Sequence, residues 1–288
     1  MTIAISLKVN DGIVLATDSA TTMMGRDPLG KIGVVNIYDN ANKIFNLRKG
    51  LRVGAITWGS GSIGNASIST LAKDFRELIT KGNEEEGNNW KIDPDDYTIE
   101  DIAIKFKNFI YDENYDVAFK DWKQKPILGF MIVGYSTGVP LAEEWKIDID
   151  GECRGPYLIR KQSEIGITWN GEAEAICRLF FGFGSGLPNV LKQAKLEEKK
   201  IQQIIDLCKK QMIAQMVAPP MPIQDAIDLA IYLVKTTVGF SKFTPGAPTV
   251  GGPIEVAAIT KHEGFKWVTR KHYFDTTLNP KEEESDEL

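Results

Sequence analysis

Apolar residues at every second position open the chain. Ile3, Ile5, Leu7 and Val9 alternate with small or polar residues, the period of a strand. Asn10-Asp11-Gly12 predicts a turn and Ile13-Val14-Leu15-Ala16-Thr17 a second strand, so residues 3–19 read as a hairpin. A Gly- and Asp-containing loop is expected near residues 25–39, then short strands at 43–47 and 51–57. A helix follows with Ile68, Leu71, Phe75, Leu78 and Ile79 on one face. After a polar loop at 82–96, Thr98 and Asp101 resemble a capping box opening a second helix, with Ile99, Ile102, Phe106 and Phe109 inward. Strands are predicted at 127–135, 141–149 and 157–160, and helices at 172–181, 190–216 and 224–237. A Gly- and Pro-rich loop at 240–252 precedes closing strands at 254–260 and 265–269.

This order lacks the regular βαβα alternation of a doubly wound parallel sheet. It fits an α+β fold in which two antiparallel sheets pack face to face with helices outside. No repeat and no linker divides the chain, so residues 1–277 are expected to form one domain. Glu282, Glu283, Glu284, Asp286 and Glu287 mark residues 278–288 as an acidic, disordered tail.

A three-residue loop at Asn10-Asp11-Gly12, with Gly12 left-handed, sets the expected hairpin register. Val9 then faces Ile13, Ala4 faces Asp18 and Thr2 faces Ala20. Thr2, Ala4, Ser6, Ala16, Asp18 and Ala20 share one face; Ile3, Ile5, Leu7, Leu15 and Thr17 share the other. Thr2 and Asp18 become diagonal neighbours with room for a third side chain between them. A two-residue loop would send Asp18 to the opposite face.

Composition narrows the chemistry. The net charge of −5 argues against a general nucleic-acid binder. No apolar run reaches membrane-spanning length and no signal peptide opens the chain, so a cytoplasmic protein is expected. The three cysteines are scattered, without a disulfide framework. His262 and His272 are the only histidines, and both lie in polar sequence. Zinc sites and Ser-His or Cys-His pairs usually need histidine, so an enzyme here is expected to use another base. Gly59-Ser60-Gly61-Ser62-Ile63-Gly64 matches the dinucleotide-binding pattern GxGxxG, but it follows a late strand and no acidic-ended strand comes after it.

Met1 precedes Thr2, a small residue that permits removal of the initiator methionine. The stretch from Thr2-Ile3-Ala4-Ile5 through Asp11-Gly12-Ile13-Val14-Leu15-Ala16-Thr17-Asp18-Ser19, followed by Ala41-Asn42-Lys43-Ile44-Phe45, resembles a proteasome β-type subunit, one of the N-terminal nucleophile (Ntn) hydrolases. The likeness is strongest over the first 60 to 80 residues and weaker at Trp169-Asn170-Gly171 and Thr249-Val250-Gly251-Gly252. It implies a four-layer α/β/β/α sandwich and a threonine peptidase acting through an acyl-enzyme on Thr2. It further implies Lys43 beside Thr2, Asp18 paired with Lys43, an oxyanion-stabilising N–H near Trp58-Gly59, and Thr22 holding the substrate backbone.

An α-amine has a pKa of about 7.7–8.0, so once Met1 is gone the Thr2 amine can act as the base for its own hydroxyl. No metal or organic cofactor is expected. The resemblance implies self-association into a ring or related compartment, a polypeptide substrate and an ATPase unfoldase as partner, with no nucleic acid and no membrane. Two departures from the family pattern stand out. Asn170 and Val250 occupy positions where family members carry helper serines, and no aspartate lies between Val238 and Gly252. A non-catalytic subunit of the same fold and a small-amide hydrolase are therefore the rival readings.

Overall fold

A computed structural model describes residues 2–26, 32–83 and 89–272. The proposed acidic tail and the last residues assigned to the main domain lie outside them. The elements, in chain order, are β1 (Ile3–Val9), β2 (Gly12–Thr17), β3 (Thr21–Arg26), β4 (Ile32–Tyr38), β5 (Ile44–Asn46), β6 (Val53–Gly59), β7 (Ser62–Ile63) and β8 (Ala66–Ser67). Next come α1 (Ile68–Lys81), α2 (Ile99–Lys107), a π-helical stretch (Asn108–Tyr115), α3 (Asp116–Ala118), β9 (Leu128–Gly134), β10 (Glu143–Asp150), β11 (Glu152–Leu158) and β12 (Gly166–Gly171). The chain continues as α4 (Glu174–Phe181), α5 (Leu187–Gln193), α6 (Glu198–Met212), α7 (Ile223–Phe243), β13 (Glu255–Thr260) and β14 (Gly264–Thr269).

Two five-stranded antiparallel sheets form the centre, ordered β12-β1-β2-β13-β14 and β11-β10-β9-β6-β5. Three apolar cores separate four layers. Ile3, Ile5, Leu7, Val9, Val14 and Ala16 of the first sheet pack against Ile176 and Phe180 of α4 and Ala230, Leu233 and Val234 of α7. Ala4, Ile13, Leu15 and Ala257 meet Ile44, Ile56, Met131 and Val133 between the sheets. Val53, Ala55, Phe130 and Ile132 of the second sheet cover Leu71 and Phe75 of α1 and Ile102 and Phe106 of α2. This is the α+β, four-layer α/β/β/α sandwich of two antiparallel sheets expected from the sequence. No helix among the described residues is long and apolar enough to cross a membrane.

The first hairpin departs from the expected register. Its loop has two residues, Ala4 pairs with Thr17, and Val9 pairs with Gly12. Ala16 therefore lies on the helix side with Ile5, while Leu15 joins Ala4 between the sheets. Gly12 is not left-handed; it lies in β2, where a Cβ would come 2.7 Å from the Ile259 carbonyl of β13. Close approach of two strands, and not turn geometry, requires the glycine.

Other boundaries also moved. The loop expected near 25–39 holds β4 and the end of β3, which pair with Thr22 opposite Ile37. The single helix expected at 190–216 is two helices, broken where Lys195 takes a positive φ of 63°. Helix α7 runs through Phe243, into the stretch read as loop. The strand expected at 157–160 is the end of β11, which begins at Glu152. The glycine-rich 59–64 segment forms the turn into the small β7–β8 ladder within an antiparallel setting, so it opens no βαβ unit.

Candidate active site

The chain leaves the first sheet where β2 ends. The Thr17 hydroxyl donates to the Ile3 carbonyl at 2.8 Å, tying the end of β2 to the start of β1. Residues 18–20 are not strand, so the alternation of faces stops at Thr17. Released from it, Asp18 turns toward Thr2 despite the two-residue loop. Its Oδ1 accepts from the Ile3 amide at 3.0 Å and from the Thr2 hydroxyl. Its Oδ2 accepts from the amides of Ala20 and Gly251, each at 3.1 Å. The carboxylate is fully buried, and these donors replace the water it has lost.

Lys43 arrives from the second sheet. Its carbonyl accepts from the Thr57 amide of β6 at 3.0 Å, fixing the residue just before β5. The Lys43 ammonium donates to the Thr2 hydroxyl oxygen and, at 2.7 Å, to Asp18 Oδ1. Thr2 and Lys43 are also buried. Burial pushes the Lys43 ammonium below the ordinary lysine range, and the neighbouring Asp18 carboxylate opposes that shift. The Thr2 hydroxyl thus sits between a cation that donates to it and a carboxylate that accepts from it. Such a setting favours negative charge developing on the hydroxyl oxygen.

The backbone of Thr2 is held by the residue that follows the edge strand β12. Its carbonyl accepts from the Glu172 amide at 2.7 Å. Gly171 makes this approach feasible: its φ is +89°, and a side chain there would collide with the Thr2 carbonyl. Gly171→Ala should therefore displace Thr2, lowering stability by about 1–3 kcal/mol through backbone strain alone. A thermal melt and an activity assay together check this, with turnover expected to fall further than the folded fraction.

The other sequence-derived residues lie on several different elements and the loops between them. Gly59 ends β6 opposite Leu128, with a left-handed φ of +89°. Thr22 lies on β3, two positions beyond the Ala20 amide that binds Asp18. Asn170 lies on β12 opposite Ala4, and strand alternation puts it on the sheet face that Ala4 uses. Val250, at the expected helper position, is buried in the core beneath α7. Ser185, which imitates a helper serine in sequence, instead donates to Glu174 Oε2 at 2.6 Å beside α4.

The Gly251 amide was not foreseen as an Asp18 ligand. Its only sequence sign was the Gly-Gly pair before the closing strands. Among the described residues no group of three His, Cys, Asp or Glu side chains is placed to hold a metal ion.

No family model matches the chain. No curated protein matches it either. Among solved structures it is similar to Anbu (ancestral beta-subunit) from Yersinia bercovieri, at 13% identity over 94% of this chain and 88% of that one, with a TM-score of 0.48. It is also similar to a Gly-1 mutant of Anbu from Hyphomicrobium sp. strain MC1, at 13% identity over 95% of this chain and 89% of that one, with a TM-score of 0.54. At this identity the second likeness is one of fold.

These findings correct the assignment to the proteasome β-subunit family made from the N-terminal motifs. No family model or curated sequence carries it, and the shared fold does not establish it. The physical reason is that a layered sandwich needs only its pattern of buried positions, which many unrelated-looking sequences satisfy.

Proposed function

We propose that the chain is a threonine-type Ntn hydrolase that cleaves peptide bonds after losing Met1. The observation that carries this reading is the buried contact of the Thr2 hydroxyl with both Lys43 and Asp18. Removal of Met1 frees an α-amine on the residue that bears the hydroxyl. The neutral amine accepts the hydroxyl proton as Thr2 Oγ1 bonds to the substrate carbonyl carbon. The resulting ammonium passes that proton to the leaving amine as the C–N bond breaks, leaving an ester on Thr2. Water then attacks the ester, the amine again takes the proton, and the hydroxyl is restored. Lys43 favours both the neutral amine and the alkoxide-like oxygen, and Asp18 keeps the lysine in place.

Gly59 is proposed to supply an oxyanion N–H and Thr22 to hold an extended substrate. Asn170 would offer an amide where a helper hydroxyl is absent. The space at Gly61 is bounded by Thr21, with a Cβ there 3.4 Å from the threonine methyl, so β3 and the 59–61 turn flank one another. Self-association in a cytoplasmic ring or related compartment is part of the same proposal. Exposed Met23, Val34, Val35 and Tyr38 on the β3–β4 hairpin offer apolar surface for it.

The test compares peptide hydrolysis by untagged protein with free Thr2 against protein whose residue 2 amine is acylated. Loss of turnover on acylation supports the reading; equal rates contradict it.

A further inference from the structure

The ammonium of Lys271 donates two hydrogen bonds and forms an ion pair with a third group. Its Nζ lies 2.8 Å from Ser19 Oγ, 2.7 Å from the Ala41 carbonyl and 2.9 Å from Glu255 Oε2. Each partner belongs to a different segment of the candidate site. Ser19 follows Asp18, its amide donates to the Gly251 carbonyl at 2.9 Å, and its hydroxyl donates to the Pro253 carbonyl at 2.6 Å. Ala41 lies two residues before Lys43, and its amide donates to the Ser19 carbonyl at 2.9 Å. Glu255 opens β13 opposite Thr17, where its side chain is only 1% exposed. The segments carrying Asp18, Lys43 and the Gly251 amide therefore converge on one cation.

From this convergence we propose that Lys271 is a positioning residue for the Thr2–Asp18–Lys43 cluster: it clamps the three segments together and neutralises the buried Glu255 beside them. The proposal rests on the reading of Thr2 as nucleophile, and it extends that reading to a residue with no place in the motifs. The charged groups that bear on Lys43 are Asp18 and Glu255, which favour its ammonium, and Lys271, which disfavours it. Removing the Lys271 charge deletes one repulsion and exposes the site to an unpaired Glu255. Both changes move the titration of Lys43, and of a free Thr2 amine, to higher pH. The amine must be neutral to accept a proton, so the acid limb of the rate profile moves to higher pH as well.

The experiment compares Lys271→Met, Lys271→Arg, Glu255→Gln and the Lys271→Met/Glu255→Gln pair with the parent chain. Two readouts are used: the pH dependence of kcat and KM on a peptide, and the titration of Lys43 followed by NMR of 13Cε-labelled lysine. Lys271→Met is expected to lower kcat at neutral pH roughly 10- to 100-fold, in line with the cost of small misplacements, and to leave KM within about twofold. Its acid limb and its Lys43 midpoint both move up. The double variant, which leaves no buried unpaired carboxylate, returns both midpoints toward the parent while kcat stays low. Lys271→Arg keeps the charge and retains the parent midpoints.

If Lys271→Met shows the parent acid limb and the parent Lys43 midpoint, the proposal is overturned and Lys271 is structural. If the parent chain has no Thr2-dependent turnover, the proposed function fails by itself. The Lys43 titration still decides whether Lys271 acts on the cluster.

Discussion

Thr2→Ala should abolish turnover, with a fall on the order of 10⁴-fold or more, as expected when a nucleophile is removed from a coupled catalytic unit. The fold should survive. Asp18 would keep its bonds from the Ile3, Ala20 and Gly251 amides and its ion pair with Lys43, so no buried charge is orphaned. Only a hydroxyl and a methyl group leave a site that is already almost closed to solvent. Thr2→Ser keeps the nucleophile and should retain measurable activity. Parallel thermal melts and single-turnover assays separate lost chemistry from lost structure. A Thr2→Ala protein with parent-level turnover would remove Thr2 from the mechanism.

Lys43→Ala should cost about 10³-fold or more in kcat/KM, because the cation that favours charge on Thr2 Oγ1 acts in a site with little water. It should also destabilise the protein by about 3–5 kcal/mol, since it leaves the fully buried Asp18 carboxylate without its cation. The two effects can be separated by a cycle with Asp18→Asn. Removing both charges should recover much of the stability, because neither is then buried alone, but none of the rate. Recovery of rate in the double variant would mean that the pair serves folding and not chemistry.

The layered fold was legible because its cores are built from regular periods. Ile3, Ile5 and Leu7 on β1, and Leu71 and Phe75 on α1, read correctly since each face meets one uniform core. The Thr98 cap was equally local, its side chain accepting from the Asp101 amide at 3.0 Å.

What failed was decided by contacts beyond the local window. The hairpin register turned on one residue of loop length, and Gly12 is constrained by Ile259 across the sheet. Strand β12, Gly-Ile-Thr-Trp-Asn-Gly, has no clean alternation because it is a half-buried edge. The pairing of Thr2 with Asp18 was anticipated for the wrong reason. The contact comes from the chain leaving the sheet after Thr17, not from alternation within it. Lys271 touches Ser19 across most of the chain, a relation no periodicity encodes.

The most direct measurement is intact-mass spectrometry with N-terminal sequencing of untagged protein, before and after reaction with a peptide epoxide. The expected result is a chain that begins at Thr2 and takes one adduct there, with activity lost in step with labelling. A chain that retains Met1, takes no adduct at residue 2 and still hydrolyses peptides at full rate would contradict the use of its own terminal amine as the base.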